Sequence, residues 1–277
     1  LAAARRADLA LLAGLLPALA AVAVLAGVAT PSALDALGVR ADHCDGHDHH
    51  VHLCVVHAAT IPARVAGVGA IAAVLLLTRA GAAVAGLARA AFGLAHLERL
   101  GRTEGDVVRL PGSPRLCHAV GLARPRVLVS DALARAISGE QLAAALAHER
   151  AHLRRRDPLA LALLAVASSA ALPFAGRAAR GAYRDAAEEA ADAEAARVHG
   201  GVGVAEALLS VARVQTHLPA LAFGSHGLDR RVRALLAGAP SAPAAGLGGV
   251  LFVTIAGISA AIVGSEPLHH AVETLLG

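Results

Sequence analysis

The sequence predicts a helical, polytopic membrane protein that carries a small α+β domain on one side of the bilayer. Three observations lead there. Of its 277 residues 56% are hydrophobic and 17% charged, with a mean hydropathy of +0.60, which is too apolar for an ordinary soluble domain. Three apolar runs have spanning length. Between the second and third lies a stretch of mixed polarity, where short strand-like runs and Pro/Gly turns lead into helical periodicity. All 25 basic residues are arginine, and lysine, asparagine and methionine are missing. Heavy use of Ala, Arg, Gly and Val fits a GC-rich coding bias. A net charge of +4 would suit nucleic acid, yet the arginines form no stripe interleaved with aromatics, and only 2% of residues are aromatic. A nucleic-acid partner is therefore disfavoured; the membrane lipid is the expected surroundings.

The first spanning run is 7–28, preceded by Arg5 and Arg6. It reads as an uncleaved anchor, with a cleavable signal peptide as the competing reading. The second covers roughly 61–86, with Arg79 towards its inner end, and the third 246–264. Only Arg40 and Arg64 lie in or beside the loop between the first two spans, whereas 21 arginines fall between Arg79 and Arg233. The positive-inside rule then places the N-terminus and the 87–240 region in the cytoplasm. The expected organisation is two transmembrane helices in 1–86 around an external loop 29–60, a cytoplasmic domain 87–240, and a last span with a short external tail in 241–277.

Within 87–240, the runs 106–110, 116–120 and 126–130 read as strands. Ser138 and Gln141 then form a capping box, Ser at the N-cap and Gln three residues on. It opens a helix that runs to Asp157-Pro158 and carries His148-Glu149-Arg150-Ala151-His152, the H-E-x-x-H spacing. Residues four apart on a helix share a face, so two imidazoles can meet one ion. Glu149 beside them can take a proton from an attacking water. In a chain with 15 histidines the motif alone is compatible with chance, and a third ligand decides. Glu188 and Asp192, again four apart on a helical segment 183–200, supply one: Glu188 can bind zinc, and Asp192 can accept a hydrogen bond from the far nitrogen of a ligand histidine. An acidic solvated face is the plain alternative for this pair, with Glu189 as the fallback ligand. Tyr183 or His199 can donate to the oxyanion of a tetrahedral intermediate.

The run GLARPRVLVSDALARAISGEQLAAALAHERAHLRRRDP, an apolar stretch ending Leu172-Pro173-Phe174, and then EEAAD resemble the M56 family of membrane metallopeptidases, the BlaR/MecR type. The resemblance covers about 105–200. It implies a gluzincin (zincin-like) fold, a single catalytic Zn2+ held by His148, His152 and Glu188, and Glu149 as general base. It implies a protein or peptide substrate, for the signalling members a cytoplasmic repressor. HtpX-type quality-control peptidases share the same pair of motifs and are the nearest competitor. The family's β-lactam sensor acts through S-x-x-K, and this chain has no lysine, so that acylation is not expected of it.

The metal site constrains topology. If 158–174 crossed the bilayer, about 30 Å would separate Glu188 from the histidines, which ligand bonds of about 2 Å forbid. The run is therefore expected to be a buried or partly inserted helix that returns to the same face, with Pro173 as its break. The external loop holds His43, Cys44, His47, His49, His50, His52, Cys54 and His57, which leaves two readings open: a Zn or Cu site, or a Cys44–Cys54 disulfide. A non-enzymatic metal sensor or transporter built on this loop is the rival from another functional class. Its spans ought to hold polar ligands near mid-membrane, and they hold almost none.

Overall fold

The computed structural model describes residues 2–39, 63–112, 114–169, 173–215, 225–238 and 246–264, with Pro267. The His/Cys positions 43–57 lie outside them. In chain order the elements are α1 (Ala3–Ala36), α2 (Ala63–Leu100), β1 (Arg102–Glu104), β2 (Val107–Leu110), β3 (Cys117–Val120), β4 (Arg126–Ser130), α3 (Asp131–Ala136), α4 (Gly139–Arg155), α5 (Asp157–Ala167), α6 (Pro173–Gln215), α7 (Ser225–Leu236) and α8 (Gly246–Val263). The protein is mostly helical with one small sheet, as a zincin-like domain requires.

Two helical stretches, Ala3–Ala26 and Gly67–Leu100, are long and apolar enough to cross a membrane. The apolar part of α8, Gly246–Ala260, is shorter than that length, and Leu247 and Val250 are buried against α1 and α5. α2 does not stop at residue 86, the expected end of the second span. It runs on to Leu100 because nothing before Gly101 breaks it. Ile71 and Leu77 on its first half are 64% and 72% exposed. Arg79, within that apolar helix, donates to the Ser168 carbonyl at 3.1 Å, at the C-terminal end of α5 where the helix dipole favours a cation.

The four strands order β1-β2-β4-β3; β2 and β4 are parallel and the outer pairs antiparallel. Side chains alternate between faces along a strand, and here both faces are covered. Val107, Cys117, Val127 and Val129 pack with Leu133 against Leu142, Leu146 and Leu153, while Val108, Leu110 and Leu128 pack against Leu94 of α2. This explains why VVRL and RVLVS read as nearly continuous apolar runs. β1 was not anticipated from sequence: Arg-Thr-Glu is polar and exposed along its whole length, and it pairs only through the hairpin turn at Gly105, whose φ is 64°. The other three strands lie within the predicted runs.

α4 begins as the sequence predicts: Ser138 accepts from Gln141 N–H and Gln141 reaches back to the Ser138 N–H. Its middle residues face different neighbours. Ala151 is fully buried, and Arg150 forks onto Asp106 in the β1–β2 turn (2.7 and 2.9 Å), which locks the helix to the sheet. The Arg150 guanidinium holds the Asp106 carboxyl below its usual range. Since a depressed carboxyl stabilises above its unfolded pKa of about 3.9 and loses that as pH falls, Asp106→Asn is expected to cost at most about 1 kcal/mol at pH 7. Both partners are partly exposed, so the cost should shrink towards zero below pH 3 in denaturant titrations.

Within the apolar run 158–174, the residues up to Ala167 belong to α5, which packs inside the protein. Ala160 and Leu164 of α5 are fully buried, and they cluster with Ala7 and Leu11 of α1 and Tyr183, Ala186 and Ala187 of α6. Pro173 opens α6, a position where its missing N–H costs nothing. α6 bends at Gly200 (φ 72°). At Gly201 a Cβ would lie 2.3 Å from the Leu235 carbonyl oxygen, so only glycine lets α7 lie directly on α6.

Candidate metal centre

The site is assembled from α4, α6 and one turn between helices. α4 puts His148 and His152 one turn apart with their Nε2 atoms 3.1 Å from each other. α6 delivers Glu188, whose oxygens lie 3.4 Å from His148 Nε2 and 3.7 Å from His152 Nε2. Donor atoms of the three residues all lie within 4.8 Å of one another. Four ligands about 2.1 Å from a tetrahedral ion are separated by about 3.4 Å. The 3.1 Å between the two nitrogens is close to that spacing. Each nitrogen has its own Glu188 oxygen near it, Oε2 for His148 and Oε1 for His152, so the three residues are placed to share one ion after a small adjustment of the carboxylate. Two nitrogens and a carboxylate also form the donor set of a hydrolytic metal centre, with one corner left open.

Each histidine turns its other nitrogen to a carboxylate. His148 Nδ1 is 2.9 Å from Asp192 Oδ1, and His152 Nδ1 is 2.7 Å from Asp157 Oδ2. A proton held at Nδ1 leaves the Nε2 lone pair for the ion. Asp192 was expected to serve a ligand histidine in this manner. Asp157 was given no role from sequence, because its position depends on the turn before it: Arg156 adopts a left-handed conformation (φ 57°, ψ 37°), ends α4, and swings Asp157 back beneath His152. That conformation costs a non-glycine residue about 1–2 kcal/mol, which is typical of a backbone held in place by its surroundings.

Arg231 of α7 is the second residue that sequence reading missed, since it stands 39 residues beyond Asp192 in the chain. Its Nε and NH2 fork onto both oxygens of Asp192 (2.6 and 2.8 Å), and NH1 reaches Glu188 Oε2 at 2.9 Å. The electrostatics follow. Burial would discharge His148, but hydrogen bonds to Asp192 and Glu188 outweigh it and the imidazole is pushed up to about 10. Burial likewise opposes the charges on Glu188 and Asp192, yet His148 and Arg231 hold both carboxyls well below the usual range.

Glu149 lines the same cleft, and its Oε2 accepts from the Ala119 backbone N–H at 2.6 Å. Ala119 lies in β3, an outer strand of the sheet, so the sheet edge orients this carboxylate. The cleft, about 970 Å³, has a mostly apolar wall that includes Leu87, Leu94 and Leu97 of α2 and Leu208 and Val211 of α6. His118, exposed on β3, lies at its margin.

Two expectations need correction. The Tyr183 hydroxyl is spent on Asp157 Oδ1 at 2.5 Å, the residue is 2% exposed, and it does not line the cleft. Nor does His199, which lies on α6 beside the bend at Gly200, two turns beyond Asp192. Neither is placed as an oxyanion donor. Glu189, the fallback ligand, is engaged by Arg6 and by Arg230 (2.8 Å) on the other side of α6. His43, Cys44, His47, His49, His50, His52, Cys54 and His57 lie outside the described residues.

Comparison with known families bears directly on this arrangement. The family model described as BlaR1 peptidase M56 matches residues 114–235. Over these residues the chain is similar to the M56 peptidase family. No curated protein and no solved structure matches the chain. The M56 region runs from just before β3 to the end of α7, so it contains His148, Glu149, His152, Asp157, Glu188, Asp192 and Arg231 together. The family's chemistry is that of a metallopeptidase acting on peptides or proteins, and the His148–His152–Glu188 cluster is a fitting place for its metal ion.

Proposed function

We propose that the chain is a polytopic, membrane-bound zinc endopeptidase that works at the cytoplasmic face in regulatory proteolysis. The observation that carries this reading is the convergence of His148, His152 and Glu188, each imidazole backed by its own carboxylate, in a cleft walled by a long apolar helix. When bound, zinc supplies a Lewis acid that polarises the scissile carbonyl and makes an attacking water more acidic. The chain's residues do the rest. Asp192 and Asp157 hold the Nδ1 protons and so present two Nε2 lone pairs. The Ala119 N–H fixes Glu149 by one oxygen, leaving the other to receive the water's proton and pass it to the leaving amine. The apolar wall accepts large hydrophobic side chains of the substrate and excludes water around the reacting bond.

The arginine distribution supports the cytoplasmic orientation, with α3 to α7 inside and 43–57 outside. α8 completes the polytopic reading as a short third span. A protease-cleavable tag within 239–245 should be cut from outside only after the cells are permeabilised. For the metal, the purified chain should hold close to one zinc per molecule, lost on His148→Ala or Glu188→Ala and retained when the 43–57 His/Cys residues are replaced. Zinc that disappears only with the loop would overturn the catalytic site. The regulatory role is tested by comparing the proteomes of cells with wild-type and inactive protein. Few accumulating substrates, a cytoplasmic repressor among the candidates, would support it. Broad accumulation of damaged membrane proteins would replace it with quality control.

A further inference from the structure

The geometry points to Arg231 as the positioning residue of the metal centre, acting from α7 through the directional fork that it makes with Asp192 and the strap it lays on Glu188. The inference rests on the metal reading above and adds to it what holds the ligands in register. Asp192 is 3% exposed, and among the described residues the Arg231 guanidinium and His148 Nδ1 lie against its two oxygens. A carboxylate that accepts a single hydrogen bond can swivel about its last bond. One whose two oxygens are both taken by a planar fork cannot. The fork therefore fixes the plane of Asp192 with Oδ1 at 2.9 Å from His148 Nδ1. The same guanidinium places Glu188 Oε2 at 2.9 Å from NH1, while that oxygen stands 3.4 Å from His148 Nε2. One rigid group thus sets the direction of one ligand's supporting carboxylate and the position of the third ligand.

α7 can deliver that group because its backbone lies directly on α6 at Gly201, which brings Arg231 over the turn between Glu188 and Asp192. Neighbouring Arg230 makes a useful contrast. It binds Glu189 at 2.8 Å and Asp185 at 3.5 Å, so it fastens α7 to α6 without touching the metal cluster. Docking of α7 and positioning of the ligands are separate jobs of adjacent residues.

The test is the zinc dissociation constant of the full chain in detergent, measured by competition with a chromophoric chelator. Arg231→Gln is expected to weaken zinc by about 10–100-fold, the usual effect of removing a group that orients a ligand. Arg231→Lys is expected to weaken it by nearly as much, because lysine restores the charge without the fork. Arg230→Gln should bind zinc as the wild type does. Should Arg231→Gln fail to fold, the double variant Asp192→Asn/Arg231→Gln removes the buried charges together, avoiding a stranded carboxylate, and is expected to bind zinc as weakly as the single one. Wild-type affinity in Arg231→Lys would overturn the inference, since charge compensation alone would then suffice, and wild-type affinity in the double variant would overturn it because the fork would then be dispensable. So would an equal loss in Arg230→Gln, which would reduce Arg231 to a fastener of α7. Absence of His148-dependent zinc from the wild type would instead sink the metal reading, a distinguishable result.

Discussion

Glu149→Gln is expected to abolish peptide hydrolysis while leaving the zinc in place. On the proposed reading the carboxylate is not among the three ligands, so the variant should hold as much metal as the wild type. Glutamine is nearly isosteric, and its carbonyl oxygen can still accept the Ala119 N–H that Glu149 accepts at 2.6 Å. The link between α4 and the sheet edge therefore survives, and the expected change in unfolding midpoint is small. What is lost is the proton acceptor. General acid–base catalysis contributes about 10²–10⁴-fold, so kcat on a fluorogenic peptide with large apolar side chains should fall by that factor, which is about 3–5 kcal/mol of transition-state stabilisation. Metal analysis and kcat measured on one preparation decide the matter. Loss of zinc together with activity would place Glu149 among the ligands. Full activity with zinc retained would mean that another group takes the proton.

The parts of this centre that were legible in the sequence are those set by local periodicity. A spacing of four on a capped helix fixes the relation of His148 to His152, and of Glu188 to Asp192, whatever the rest of the chain does. Strands β2, β3 and β4 were legible because their apolar residues cover both faces of the sheet. The buried course of α5 followed from a distance argument, since ligands of one ion cannot stand on opposite sides of a bilayer. What stayed hidden depends on tertiary arrangement. Asp157 reaches His152 only because Arg156 takes a left-handed turn, an unusual choice that no neighbouring glycine or asparagine announces. Arg231 reaches Asp192 only because Gly200 bends α6 and Gly201 lets α7 lie on it. Tyr183 misled for the same reason: a tyrosine five residues before the ligand glutamate looks available to substrate until the fold turns it towards Asp157. The end of α2 was misplaced because hydropathy marks where lipid would stop, whereas the helix continues until Gly101 and supplies a wall of the cleft.

The hub around Asp157 gives the largest expected effect on the fold itself. This carboxylate is 3% exposed, accepts from Tyr183 at 2.5 Å and from His152 at 2.7 Å, and pairs with Arg155 at 3.3 Å. Asp157→Ala would leave a buried hydroxyl and a buried imidazole without their carboxylate, and Arg155 with Asp8 alone at 3.9 Å. Breaking such a buried pair costs about 3–5 kcal/mol, and loss of the group that orients a ligand histidine weakens metal by about 10–100-fold. The variant is therefore expected to melt well below the wild type without metal, and to recover less when zinc is added. Tyr183→Phe separates the two contributions. It removes one hydrogen bond to a charged acceptor, worth about 1.5–3 kcal/mol, and leaves the His152–Asp157 contact intact, so stability should drop while kcat changes little. An oxyanion donor behaves in the opposite way: its loss costs about 10²–10³-fold in kcat and leaves the melting temperature alone. Measured together, melting temperature and kcat of Tyr183→Phe thus decide whether this hydroxyl supports the metal centre from behind or reaches the substrate from within the cleft.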